Sequence, residues 1–356
     1  MTSFSVRIGD DVLEDLRRRL DATRWPDEPP EAGPEHGFGL SAARSLAAYW
    51  RDQYDWRAAE AVLNSFAEQA VVDGVHYFAD GDGPPLVLLH GWPSSVWEFV
   101  RLVPLLRSHA RVIVPSLPGY TFSFTPGGAR SSIVDCADKV HGLMRSLGHE
   151  RYLVAGGDWG SSTAVRMAYA YPDAVQALHL YMMPLRRPET WPEYERNSRA
   201  ALLAWSEEEG GYVHIQGTRP QTLAYGLADS PVGLMSWIAE KFDRWTDSRG
   251  LPPDDVLTTT MIYWATGCIG SSFWPYWARR HGDWVLDDVA DAGDRLAAPL
   301  TFLDFPKELV HVPRTVVERV FDVERWEAPS YGGHFPALET PDMLADSLVR
   351  FVSVSR

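Results

Sequence analysis

Five residues, Gly156-Gly157-Asp158-Trp159-Gly160, constrain this chain more than any other stretch. They follow the apolar run Tyr152-Leu153-Val154-Ala155 and precede Ser161 to Ala168, which has helical spacing. Strand, glycine-flanked turn and helix in that order make a strained elbow whose middle side chain stands clear of a sheet. The small residues at 156 and 160 let strand and helix approach closely. Asp158 is thereby a candidate nucleophile, because a carboxylate attacks an electrophilic carbon and leaves an ester that water then cleaves. A capping aspartate in a glycine-rich turn is the plainer reading of the same residues.

The surrounding pattern extends the elbow into a fold. Leu86 to Leu89, Val112 to Val114, Tyr152 to Ala155 and Val175 to Leu180 are apolar runs of the kind that parallel sheets bury. Helical patterns, Trp97 to Leu106 and Ile133 to Leu147, separate them. The alternation predicts a mostly parallel, doubly wound α/β sheet. It stops from about 185 to 290, where eight of the fifteen tryptophans lie in helix-like sequence, and resumes at Pro299 to Leu303. A last amphipathic helix is predicted from Pro341 to Val352. The expected organisation is an N-terminal helical segment over 1–75, a core formed by 76–184 and 291–356, and a helical lid over 185–290. The lid would cover the C-terminal edge of the sheet, where open α/β sheets bind ligands.

Composition narrows the partners. Forty-eight acidic against 33 basic residues give a net charge of −15, which argues against nucleic acid or an anionic membrane surface. No apolar run approaches the roughly 20 residues of a membrane helix, and the first residues lack a signal-peptide core. Cys136 and Cys268 stand far apart and outside any metal-ligand spacing, as expected of two reduced thiols in a cytoplasmic protein.

An aspartate nucleophile needs a base for water and an acid to orient that base, and in such folds both follow the nucleophile. Tyr331-Gly332-Gly333-His334-Phe335 supplies a histidine in a glycine-rich loop at the expected place, and Asp304 and Glu308 both qualify as the acid. Attack of water on the ester creates an oxyanion. The backbone N–H of Trp92, in His90-Gly91-Trp92-Pro93, and that of Trp159 are the expected donors. His90 reads as a structural brace of its loop. Ser161 and Ser162 lie past the turn, on the helix, and are expected to face away from the site.

These segments, taken together, resemble epoxide hydrolases of the microsomal type within the α/β-hydrolase superfamily. The resemblance runs from about residue 5 to 352. It is carried by Tyr49-Trp50-Arg51 with Tyr54-Asp55-Trp56, by His90 to Ser94, by the elbow, and by Gly211-Tyr212-Val213-His214-Ile215-Gln216. Asp229 to Leu234, Phe305-Pro306-Lys307-Glu308 and Gly332 to Phe335 complete it. It implies Glu308 as the orienting acid, the fourth place of the Phe-Pro-x-acid motif, and leaves Asp304 as a strand-end residue. It implies two lid tyrosines that activate the epoxide: Tyr212, and Tyr276 a few residues past Ser271-Ser272, where Pro275 departs from the usual pattern. Tyr263 is the competitor for the second place. Mammalian members carry an N-terminal membrane anchor, whereas this sequence begins directly with its first expected soluble helix, so a free bacterial enzyme is expected, with no metal or organic cofactor.

The implied chemistry opens a small-molecule epoxide to a vicinal diol through an ester on Asp158, hydrolysed by water that His334 and Glu308 activate. The aromatic lid suggests a bulky or aryl-bearing substrate, and the family implies detoxification or natural-product tailoring. Exposed aromatic patches leave room for a homodimer. Two other readings share the motif set: a haloalkane dehalogenase, for which Trp159 would suit a halide, and a non-catalytic ligand-binding protein on the same scaffold. The tyrosine pair favours the epoxide over the halide, and the complete set Asp158, Glu308 and His334 argues against a pure binder.

Overall fold

The computed structural model describes residues 1–247 and 249–354. Among the described residues nine strands form a single sheet: β1 (Thr2–Ser3), β2 (Glu68–Val72), β3 (Val75–Asp80), β4 (Pro85–Leu89), β5 (Arg111–Pro115), β6 (Tyr152–Gly156), β7 (Val175–Leu180), β8 (Leu300–Leu303) and β9 (Val323–Glu327). Their order is β1-β2-β3-β5-β4-β6-β7-β8-β9. The first three pairings are antiparallel and the rest parallel. This is the α/β-hydrolase fold. Strand order reverses around β4, whose neighbours are β5 and β6, so the loops leaving β4 and β6 face each other at the switch point, where ligands bind in such sheets.

The central strands bury nearly every side chain, as their unbroken apolar sequences require. The helix Ile133–Ser146 begins with a capping box in which Ser132 and Asp135 bond each other's backbone. Between β7 and β8 the regular elements among the described residues are helical only, from the 3-10 turn Pro188–Thr190 to the helix Leu286–Ala292. No helix among the described residues is long and apolar enough to cross a membrane.

Two local expectations need correction, and one strand was not expected. The N-terminal segment is not wholly helical, since β1 and β2 extend the sheet beside β3. The stretch Trp97 to Leu106 is not one helix but a 3-10 turn, Val96–Phe99, followed by the short helix Val103–Leu106. Pro104 explains the break, because it has no N–H for a continuous helix and fits only a first turn. β9 went unrecognised because Val-Glu-Arg-Trp-Glu is a half-exposed, charged edge strand without an apolar run.

Candidate active site

β6 ends at Gly156, and the helix Asp158–Ala170 starts immediately after Gly157. Asp158 itself has φ +47°, a left-handed conformation that costs a non-glycine residue about 1–3 kcal/mol. A Cβ at Gly160 would overlap the Leu89 carbonyl of β4, so glycine is required for the helix to pack this close to the strand. The elbow thus lifts the carboxylate to the end of the sheet.

The loop after β4 meets it there. The Trp92 N–H donates to Asp158 Oδ1 at 2.7 Å, and the Trp159 N–H lies close enough to favour the charged carboxylate. One of the two expected oxyanion donors, the Trp92 N–H, therefore already holds Oδ1. Burial pushes the Asp158 pKa up, opposed by the His334 charge and by these two N–H groups. His90 braces the loop: Nδ1 bonds the Gly91 carbonyl at 3.0 Å and Nε2 accepts from Leu117 N at 3.0 Å. Burial pushes its pKa down to about 4, which keeps it neutral.

His334 and Glu308 reach Asp158 from the ends of β9 and β8. A bridge between Lys307 and Gly333 sets their loops side by side. His334 Nδ1 donates to Glu308 Oε1 at 2.8 Å, and His334 Nε2 lies 3.8 Å from Asp158 Oδ2. Burial works against the imidazolium. The Glu308 charge and hydrogen bond, with Asp158 and Glu98, override it and raise the His334 pKa to about 9. The other candidate acid, Asp304, instead pairs with His311 at 2.7 Å.

Tyr212, on the helix Gly211–Thr218, and Tyr276, on Trp274–Arg280, line one cavity of about 350 Å³ with Asp158 and Trp159. Their rings meet edge-on at 5.9 Å. Tyr212 stacks on Trp92, and Tyr276 stands edge-on to Trp159, so each phenol packs against an oxyanion residue. Burial raises both phenol pKa values well above the ordinary value, so both stay protonated donors. The Tyr276 hydroxyl is buried and finds no acceptor among the described residues. Pro275 sits in the first turn of its helix, where a missing N–H costs nothing, and leaves Tyr276 in register. Tyr263 is core: its hydroxyl donates to the Ser94 carbonyl at 2.9 Å. Ser161 bonds the Asp158 carbonyl, as a helix residue facing away would, but Ser162 borders the cavity, contrary to expectation.

Two groups escaped the sequence reading. Glu98 is buried, and Tyr181 donates to its Oε1 at 3.4 Å. Burial pushes the Glu98 pKa up to about 7, against the pull of the Ser94 hydroxyl and the His334 charge. Its signal was a lone acid in Val96-Trp97-Glu98-Phe99-Val100. The other group is Arg186 and Arg279, both on the cavity wall.

The N-terminal residues 1–99 match the family model described as epoxide hydrolase N terminus, and residues 84–222 match that of the alpha/beta hydrolase fold. A protein of Stigmatella aurantiaca (strain DW4/3-1) provisionally named an epoxide hydrolase is 35% identical over 98% of this chain and 84% of its own length. Epoxide hydrolase 1 of Oryctolagus cuniculus is 32% identical over 99% of this chain and 88% of its own. The solved structure of Aspergillus niger epoxide hydrolase superposes with a TM-score of 0.88 at 29% identity, covering 100% of this chain and 97% of that one.

Proposed function

The chain belongs to the epoxide hydrolase family, and on that premise we propose how its own residues turn a small-molecule epoxide into a vicinal diol. Asp158 Oδ2, the oxygen not held by the Trp92 N–H, attacks a ring carbon from the side opposite the C–O bond. That bond breaks, and the electron pair stays on the former ring oxygen. Tyr212 and Tyr276 hydrogen-bond this oxygen and pass it a proton as the charge grows, which prevents reclosure. The product of this half is a neutral hydroxyalkyl ester.

Water then attacks the ester carbonyl while His334 Nε2 takes its proton. Glu308 holds the ring with Nδ1 protonated and stabilises the imidazolium. The N–H groups of Trp92 and Trp159 carry the tetrahedral oxyanion, at about 3 kcal/mol per donor. Collapse expels the diol, and the imidazolium proton restores the phenol. Forming the ester also removes the Asp158 charge, one of the anions that raise the His334 pKa to about 9. The imidazole pKa therefore falls toward the free base in the step that needs one.

The observation that carries this reading is a single cavity holding Asp158, Tyr212 and Tyr276, with the His334–Glu308 pair on the Oδ2 side. The N-terminal 1–75, the core and the 185–290 lid serve as three functional parts of one unit. The aromatic lid supports a bulky or aryl-bearing epoxide, and two buried, unbridged cysteines support a cytoplasmic setting. The test is to mix the His334→Gln protein with styrene oxide, and separately with an alkyl halide, and to weigh the intact protein. A gain equal to the whole epoxide, mapped to Asp158, supports the ester route. Gain of the alkyl group from the halide alone would turn the reading to dehalogenation.

A further inference from the structure

The cavity wall is more basic than the epoxide chemistry requires. The chain as a whole carries a charge of −15, yet the cavity is bordered by Arg186, Arg279, Arg280 and His214 against one carboxylate, the nucleophile itself. Arg279 lies three residues after Tyr276 on the same short helix, so both face the cavity. Arg186 comes from the segment after β7.

Neither guanidinium has a carboxylate of its own. Among the described residues Arg279 takes part in no hydrogen bond or ion pair, and the Arg186 guanidinium reaches only Met182 Sδ, at 3.2 Å. The neighbouring Arg187, by contrast, pairs with Asp288 at 2.8 Å and Asp291 at 3.0 Å. The acid whose charge reaches Arg279 is Asp287, and its Oδ1 is taken by the backbone N–H groups of Arg186 and Arg187, at 2.9 and 2.7 Å. Burial pushes the Arg279 pKa down to about 10, and the Arg186 charge adds to the fall. Both arginines are half-buried on the cavity wall, where the carboxylate of a ligand would complete their pairing. Arg280 is exposed and screened by solvent, so the two half-buried guanidinium groups facing the one carboxylate leave a single positive charge, which matches a carboxylate monoanion better than a phosphate dianion. The planar fork of arginine suits a carboxylate as well.

We propose that Arg279 and Arg186 form an anion subsite and that the preferred substrate is an epoxide bearing a carboxylate. This rests on the reading of the same cavity as the epoxide site. The test compares kcat/KM for para-oxiranylbenzoate, its methyl ester and styrene oxide at low and high salt. The acid should be preferred over the ester by about tenfold or more, the worth of a charge-assisted bond, and the preference should shrink as salt screens the charges. Arg279→Met should erase it and Arg279→Lys should restore part of it. Equal rates for acid and ester, with styrene oxide hydrolysed, would overturn the subsite and leave epoxide hydrolysis standing. Failure on all three compounds would bring down the site reading itself. A preference that survives in both Arg279→Met and Arg186→Met would remove these residues from the role. If either variant does not fold, the wild-type preference and its salt dependence decide alone. Benzoate should also inhibit competitively and more strongly than inorganic phosphate, and the reverse order would overturn the carboxylate.

Discussion

At Gly91 an added Cβ would overlap the Asp158 carboxylate, so the residue before the oxyanion donor must be glycine for Trp92 N–H to reach Oδ1. Gly91→Ala should therefore lower kcat by about 10²-fold or more, the loss that follows removal of one oxyanion donor. Circular dichroism should be unchanged; a mutant with near-normal kcat would separate that contact from turnover. His334 supplies a second test. Its folded pKa, about 9, lies above the unfolded 6.5, so its contribution to stability is whole below about pH 6.5 and is lost as pH rises through about 9. Denaturant titrations of wild type should show that decline, His334→Gln should lack it, and Glu308→Gln, which keeps the Asp158 and Glu98 charges, should show less of it. Much of this was legible in the sequence, because Asp158, Glu308 and His334 sit in short motifs with glycine or proline neighbours. Glu98 and Arg279 were not legible. Their surroundings come from Tyr181, His334 and Arg186, far along the chain, and no local pattern records such meetings.

The two tyrosine helices work as a pair: Gly211–Thr218 packs on Trp274–Arg280, and both phenols hang from them over the elbow. A tyrosine acting as a proton donor to the epoxide should be worth about 10²-fold or more in the ring-opening step. Tyr212→Phe and Tyr276→Phe should each slow formation of the ester in single-turnover experiments without slowing its hydrolysis. Tyr263→Phe should do neither and instead lower stability by about 1 kcal/mol, the net worth of its bond to the Ser94 carbonyl. Apolar strands and amphipathic helices were read correctly where the burial pattern is continuous. Where a proline interrupted the helix at 104, or charge broke up β9, the local signal misled because neighbouring elements set the outcome.

Across the whole molecule, the helices between β7 and β8 are tied down from three sides. The N-terminal segment bonds them through Arg19 to Asp229, Tyr49 to Asp254 and Tyr54 to Thr258. The turn after β4 adds Arg101, which grips Asp255 in a two-bond fork, and Trp97 Nε1, which donates to the same carboxylate at 3.0 Å. The helix Pro231–Trp245 ends on the histidine loop, where His334 N donates to the Trp245 carbonyl at 2.9 Å. Asp255 is fully buried, but Arg101 is partly exposed and can resolvate, so Asp255→Ala should cost about 2 kcal/mol rather than the full penalty of a broken buried pair. Urea titration measures it; a change within error would mean that this tie holds nothing. The order of core, insertion and core was visible in the sequence because it follows from where alternation stops. The ties were not, since those from the N-terminal segment and from the turn after β4 join residues more than 150 apart and the one to the histidine loop joins residues 89 apart.

One consequence follows from Oδ1 of Asp158 lying in the grip of the Trp92 N–H. If that oxygen stays put through the cycle, the two carboxylate oxygens have separate histories. In water enriched in oxygen-18, the first diol released should be unlabelled, because its new oxygen is the old Oδ2, and the heavy atom should be left behind on the enzyme. The second diol should then carry the label in full. Free rotation of the carboxylate between turnovers would instead give half. Mass spectrometry of the diol from successive turnovers would therefore read out, as an isotope ratio, whether one backbone hydrogen bond keeps its hold.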